Sequence, residues 1–121
     1  IGIDISKKIC FGAQRNFTHF NLDNSNIIHA DSLNIPLSSI DGIVTDFPYG
    51  RSTIKKFSDN VKFMDKFFDI SSRLLNSGSY IVFMSPKDWP EYNFSDYHLI
   101  DKHEIYIHSN LTRVIRVIRK I

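Results

Sequence analysis

Cysteine is nearly absent: Cys10 stands alone, so neither an internal disulfide framework nor a cysteine zinc cluster can form, and this usage suits a cytoplasmic protein. No stretch approaches the roughly 20 apolar residues that a membrane-spanning helix needs, which points to a soluble chain with no membrane partner. The opening IGIDISKK has neither the basic head and apolar core of a secretory signal nor an initiator methionine; the expectation is that it is not a natural start. Charge of one sign is scarce as well. A formal net charge of +2 is too small to mark a nucleic-acid binder, although Arg113, Arg116, Arg119 and Lys120 crowd the end of the chain. The plain reading is that these arginines decorate the wet face of an edge strand. Internal repeats, low-complexity segments and linkers are missing, so residues 1–121 are expected to form one domain.

The composition that remains is globular, 42% hydrophobic over 121 residues: enough for a core, yet short for an α/β enzyme with a complete cofactor site. Short apolar runs alternate with helical patterns. IGIDI reads as a buried strand. In KKICFGAQRNF, Ile9, Cys10, Ala13 and Phe17 recur three or four apart, and Ser6 can cap the helix they predict. IIHA is a second strand, DSLNIPLSS a loop and GIVT a third strand. Beyond RSTIKKFSD, the residues Val61, Met64, Phe67, Phe68, Ser71 and Leu75 line one face of the strongest helix, with Asp59 or Asn60 as cap and Gly78 just past the end. YIVFM is an almost wholly apolar strand. HLIDKHEIYIH and LTRVIRVIRKI, separated by little more than Ser109 and Asn110, read as an antiparallel hairpin at a sheet edge. Strands this apolar are buried on both faces, so the expected fold is α/β with a mostly parallel sheet and a C-terminal antiparallel hairpin.

The stretch DGIVTDFPYG follows an apolar strand with an acid, an aromatic, a proline and a second aromatic. A surface turn uses the proline and the glycine but gains nothing from two exposed aromatic rings. Asp4, Asp31 and Asp46 fall at the carboxyl ends of the first three strands, where an open parallel sheet binds its ligands, so the three carboxylates are expected on one rim. One such acid can accept both hydroxyls of a ribose, and the next can accept the exocyclic amine of adenine. Any one of them alone is more simply a helix cap or a loop aspartate.

The series GIDIS, AD and DFPYG resembles the motifs of class I S-adenosylmethionine-dependent amino methyltransferases, whose signature is Asp/Asn/Ser-Pro-Pro-Tyr/Phe/Trp. TDFPYGRST, with FGAQRN upstream and SNLTRVIRVI at the end, is most similar to the archaeal and eukaryotic enzymes that methylate N2 of guanosine ten in tRNA. The resemblance covers nearly the whole chain. It implies a Rossmann-like class I methyltransferase sheet lacking the first strand, S-adenosyl-L-methionine as cofactor and tRNA as partner. It also implies a cofactor site of Asp4, Ile5, Asp31, Ser32 and Asp46, a catalytic stretch of Asp46, Phe47, Pro48 and Tyr49, and nucleic-acid contacts from Tyr49, Arg51, Lys55 and Arg113. No metal is implied.

The chemistry explains these residue types. A purine amine is a poor nucleophile because its lone pair is delocalised into the ring, so two hydrogen-bond acceptors must hold it in a more tetrahedral form. The Asp46 carboxylate would be one acceptor and the Phe47 carbonyl the other. Positioning two reactants in line can itself supply about 7 to 11 kcal/mol of the barrier. Tyr49 would stack on the target base, Pro48 would bias Phe47 towards an extended conformation that aims its carbonyl, and Arg51, Lys55 and Lys56 would meet flanking phosphates. Trp89 would wall the base pocket or simply pack.

Two departures from the family pattern stand out. Phe47 occupies a position usually held by proline, so Phe47→Pro is expected to stiffen the loop and keep or raise activity. No Gly-x-Gly precedes Asp4, so the loop that grips the methionine end is absent, and the 121 residues alone are expected to bind cofactor weakly. The expectation is a part of a longer protein with an upstream RNA-binding domain. Within the same chemistry the alternative is a DNA adenine N6- or cytosine N4-methyltransferase, since the signature reports an amine and not its base. From another class, the alternative is a non-catalytic nucleic-acid-binding remnant of the fold.

Overall fold

The computed structural model describes residues 1–24, 26–34, 36–48, 57–89 and 91–121. The chain divides into two compact units, Ile1–Pro36 and Leu37–Ile121.

In the first unit, strand β1 (Gly2–Asp4) leads through Ser6 into helix α1 (Lys7–His19) and strand β2 (Ile27–His29), which pairs in parallel with β1. Ser6 has extended backbone and its Oγ accepts from the Ile9 N–H at 3.4 Å, the N-cap that the sequence predicts. Cys10 is the buried residue of the helix, its Sγ 3.4 Å from the Asp4 carbonyl and 3.6 Å from that of Ile28. Ile9, placed on the same face by periodicity, is instead 57% exposed. The helix runs two residues beyond Phe17, and its end has an evident cause. Asn21 adopts φ 54°, while the N–H groups of Asn21 and Leu22 bond to the carbonyls of Thr18 at 3.1 Å and Phe17 at 2.7 Å, a Schellman closure with asparagine in place of glycine.

The second unit holds strand β3 (Ile40–Asp46), helix α2 (Phe57–Leu74) and strands β4 (Leu75–Pro86), β5 (Tyr97–His108) and β6 (Leu111–Lys120), in the sheet order β3-β4-β6-β5. β3 and β4 are parallel; β4 with β6 and β6 with β5 are antiparallel. The fold is α/β with the C-terminal hairpin as expected. Among the described strands the pairings are mixed, parallel for β1 with β2 and β3 with β4 and antiparallel within the hairpin region, in one two-stranded and one four-stranded ladder. The hairpin lies at one edge of the four-stranded sheet, with β6 inside, between β4 and β5, and β5 outermost. Leu75, read from its spacing as part of the helix face, is the first residue of β4, and Gly78 sits at φ 86° where β4 loops out between its pairings with Ile40 and Gly42.

One face of this sheet carries the core. Ile81, Phe83, Ser85, Val114 and Ile118 are all buried there, against Met64, Phe67, Phe68 and Ser71 of α2. Rings from α2 and from the segment after β4 join them: Phe68 lies 4.6 Å from Tyr92, 5.4 Å from Phe94 and 5.7 Å from Tyr97, centroid to centroid. Each ring buried in this way removes about 150–250 Å² from water. Lys120 closes the far end of α2, donating from Nζ to the carbonyls of Ser72 and Leu75, which the helix itself leaves unpaired.

Candidate active site

Alternation along β3 decides what DFPYG does. Thr45 pairs with Phe83 and Asp46 with Met84, and the next residue continues the ladder, the Phe47 N–H donating to the Met84 carbonyl at 3.0 Å. Phe47 therefore faces the core and Asp46 the opposite side. The Phe47 ring is 2% exposed, stacked at 4.8 Å on Phe83 and 5.9 Å from Trp89, with Phe67 and Phe63 edge-on at 4.9 and 5.2 Å. The ring thus has an ordinary packing role, and Trp89 packs on it. The sequence favours a carbonyl role for Phe47 over core packing of its ring, and the signal for packing is the row of phenylalanines on the α2 face.

Asp46 is held at the strand end by that anchor yet keeps its carboxylate 46% exposed. Arg113 reaches it from β6 across the full width of β4: Nη1 lies 3.8 Å from Asp46 Oδ2. The register permits this, because Asp46, Met84 and Ile115 form one row and Arg113 is the next residue of β6 on the same face. Arg113 was read as a phosphate contact, and no local pattern signals its pairing with Asp46. Pro48 follows, exposed. Tyr49, Arg51, Lys55 and Lys56 lie outside the described residues.

The four clustered cations have separate positions, which corrects the picture of arginines on an edge strand. Arg116 donates from Nη1 to the buried Ser85 Oγ at 2.8 Å, with its guanidinium 5.8 Å from the Phe83 ring centroid. Burial pulls its pKa below the ordinary value, against the opposing charges of Glu91 and Glu104. Arg113 faces Asp46, Lys120 caps α2, and Arg119 alone of the four is exposed. The physical reason is the central place of β6: residues on both of its faces have neighbours on two sides.

In the first unit, Asp4 ends β1 and Asp31 lies two residues past β2, so the parallel pairing brings both to one end of their sheet. Asp4 Oδ1 accepts from the Ser6 N–H at 2.7 Å and so fixes the entry to α1. Asp31 is engaged in its own turn, accepting from the Leu33 N–H at 2.9 Å and from the Asn34 side-chain amide. Ile5 is 71% exposed while its carbonyl meets His29 Nε2 at 3.0 Å, and Ser32 is exposed. Asp46 ends β3 in the second unit, and Asp4 and Asp31 stand at the strand ends of the first.

The family model described as RMKL-like, methyltransferase domain, matches residues 1–115. The chain is 28% identical over 124 residues to the tRNA (guanine(10)-N2)-dimethyltransferase of Methanothermobacter thermautotrophicus, covering 100% of this chain and 37% of that protein. It is 32% identical over 129 residues to a protein of Methanothermococcus thermolithotrophicus named "Probable tRNA (guanine(10)-N2)-dimethyltransferase", covering 99% and 74%. Among solved structures, TrmN from Thermus thermophilus superposes with a TM-score of 0.76 at 15% identity, over 98% of this chain and 35% of that one, a likeness of fold. The chain thus spans about a third of the Methanothermobacter relative and about three quarters of the Methanothermococcus one. With the model matched over nearly its full length, the chain belongs to the RMKL-like methyltransferase domain family.

Proposed function

We propose that the protein carrying this chain transfers a methyl group from S-adenosyl-L-methionine to the exocyclic N2 amine of a guanosine in tRNA. The single observation that carries the reading is the strand end at Asp46, where a carboxylate stands open to solvent on a backbone anchored by the buried Phe47 ring, in a chain whose relatives bear the names given above. The donor set suits the adenosine half of the cofactor: Asp4 and Asp31 offer carboxylate acceptors at adjacent strand ends, and each Asp31 oxygen has a second lone pair beyond its turn bond. When bound, the cofactor supplies an electrophilic methyl group on sulfur. Asp46 accepts one amine hydrogen and the Phe47 carbonyl accepts the other, which directs the nitrogen lone pair, and the released proton passes to Asp46. Tyr49 stacks on the base, Arg51 and Lys55 meet phosphates, and the partner is tRNA in the cytoplasm, gathered by an RNA-binding domain upstream.

The test is methyl transfer by the full-length protein to tRNA, with the modified nucleoside identified by mass spectrometry. N2-methylguanosine is expected, and Asp46→Ala should lower turnover by about 10²-fold or more while cofactor affinity changes little. A product methylated on another base, or near-normal turnover in the mutant, would overturn the assignment.

A further inference from the structure

The contact between Arg113 and Asp46 joins residues of non-adjacent strands, on the face of the sheet opposite the aromatic core. Its length is informative. At 3.8 Å the guanidinium and the carboxylate attract as charges, but the separation is beyond hydrogen-bond range, so Arg113 Nη1 does not occupy a lone pair of Asp46 Oδ2. Arg113 is also the more enclosed partner, 31% exposed against 46%, and it emanates from the central strand of an antiparallel pair of ladders, with Pro86 on one side and Ile105 on the other. A cation fixed in this way biases the rotation of a short carboxylate side chain, and its Nη1 does not compete for the hydrogen bond that the carboxylate oxygen accepts.

Resting on the methyl-transfer reading of the site, we propose that Arg113 is the positioning residue for the Asp46 carboxylate, and not a phosphate contact. It orients the acceptor towards the target amine and compensates its negative charge until the amine arrives. Arg116 cannot substitute, because its guanidinium lies on the other face of the sheet, committed to Ser85 and Phe83. Arg119 lies further along β6, opposite Tyr80, away from the strand end where Asp46 sits.

Steady-state kinetics of the full-length protein on a tRNA transcript separates the two roles. Arg113→Gln should lower kcat by about 10- to 100-fold, as misplacing a reacting group does, and leave KM for the transcript and the salt dependence of binding unchanged. Arg113→Lys, which keeps the charge on a shorter reach, should recover part of the loss. In the Asp46→Asn background, Arg113→Gln should cost almost nothing further, because the carboxylate it orients is gone. Circular dichroism and thermal melts establish that each variant is folded; should Arg113→Gln fail to fold, the folded Arg113→Lys protein must still show a lowered kcat at unchanged KM. A raised KM with kcat preserved and a salt slope smaller by about one would overturn the proposal in favour of a phosphate contact. Full additivity with Asp46→Asn would overturn it as well. A wild-type protein inactive on the transcript would overturn the functional reading, and the positioning role with it; an active wild type with an unimpaired Arg113→Gln variant overturns the positioning role alone.

Discussion

Phe47→Pro is the perturbation on which sequence pattern and structure disagree in sign. The exchange matches the Pro-Pro signature that DFPYG resembles, and by restricting the unfolded chain it should stabilise by about 0.4 to 1 kcal/mol where the native backbone is compatible. In the structure the same exchange removes two things. The ring lost is 2% exposed and touches Phe63, Phe67, Phe83 and Trp89, a site where truncation costs about 3 to 5 kcal/mol including the cavity left behind. The N–H lost donates to the Met84 carbonyl at 3.0 Å, worth about 0.5 to 1.5 kcal/mol. The net is a destabilisation of about 3 to 6 kcal/mol, a large part of the 5 to 15 kcal/mol typical of a domain. Urea unfolding is the assay. With a slope of about 1 to 3 kcal/mol per molar, the midpoint should fall by at least about 1 M. Phe47→Leu, which keeps the N–H and most of the volume, should cost only about 1 to 1.5 kcal/mol. A proline variant as stable as wild type would refute the reasoning, and would mean that the core around Phe83 closes without the ring.

Arg116→Gln should destabilise by about 1 to 3 kcal/mol, because the half-buried guanidinium donates to the buried Ser85 hydroxyl; a change under about 0.5 kcal/mol would return Arg116 to the solvated surface. Lys120→Met should cost about 1 to 2 kcal/mol by leaving the carbonyls of Ser72 and Leu75 without their cation, and an unchanged melting temperature would contradict the capping role. The Tyr92 phenol is pushed up to about 12, first by burial and then by its hydrogen bond to Asp65. Since this lies above the unfolded value near 10, the contribution is complete below pH 10 and lost as pH rises through about 12. The urea midpoint of wild type should therefore fall more steeply over that window than that of Tyr92→Phe, and parallel losses would refute the assignment.

What could be read from the chain and what could not divide along one physical line. Local signals held: Ser6 caps α1, the α2 face buries Met64, Phe67, Phe68 and Ser71, and Ser109 with Asn110 turns the hairpin. Each depends on residues within a turn or two of one another, where propensity and periodicity act directly. The end of α1 was misplaced for a related reason, since a Schellman closure is looked for at glycine and here Asn21 takes the left-handed position. Pairing between distant strands is different in kind. Alternation tells which residues of a strand share a face, but not which strand lies beside it, and an apolar run such as LTRVIRVIRKI fits an edge or a centre equally well. Placing β6 between β4 and β5 converts three of four apparently solvated cations into structural contacts. The same step carries Arg113 within reach of Asp46. Asp46 is singled out in the sequence by the residues beside it; Arg113 lies on a strand two places away in the sheet, and only the register of β3, β4 and β6 together puts the two charges on one face.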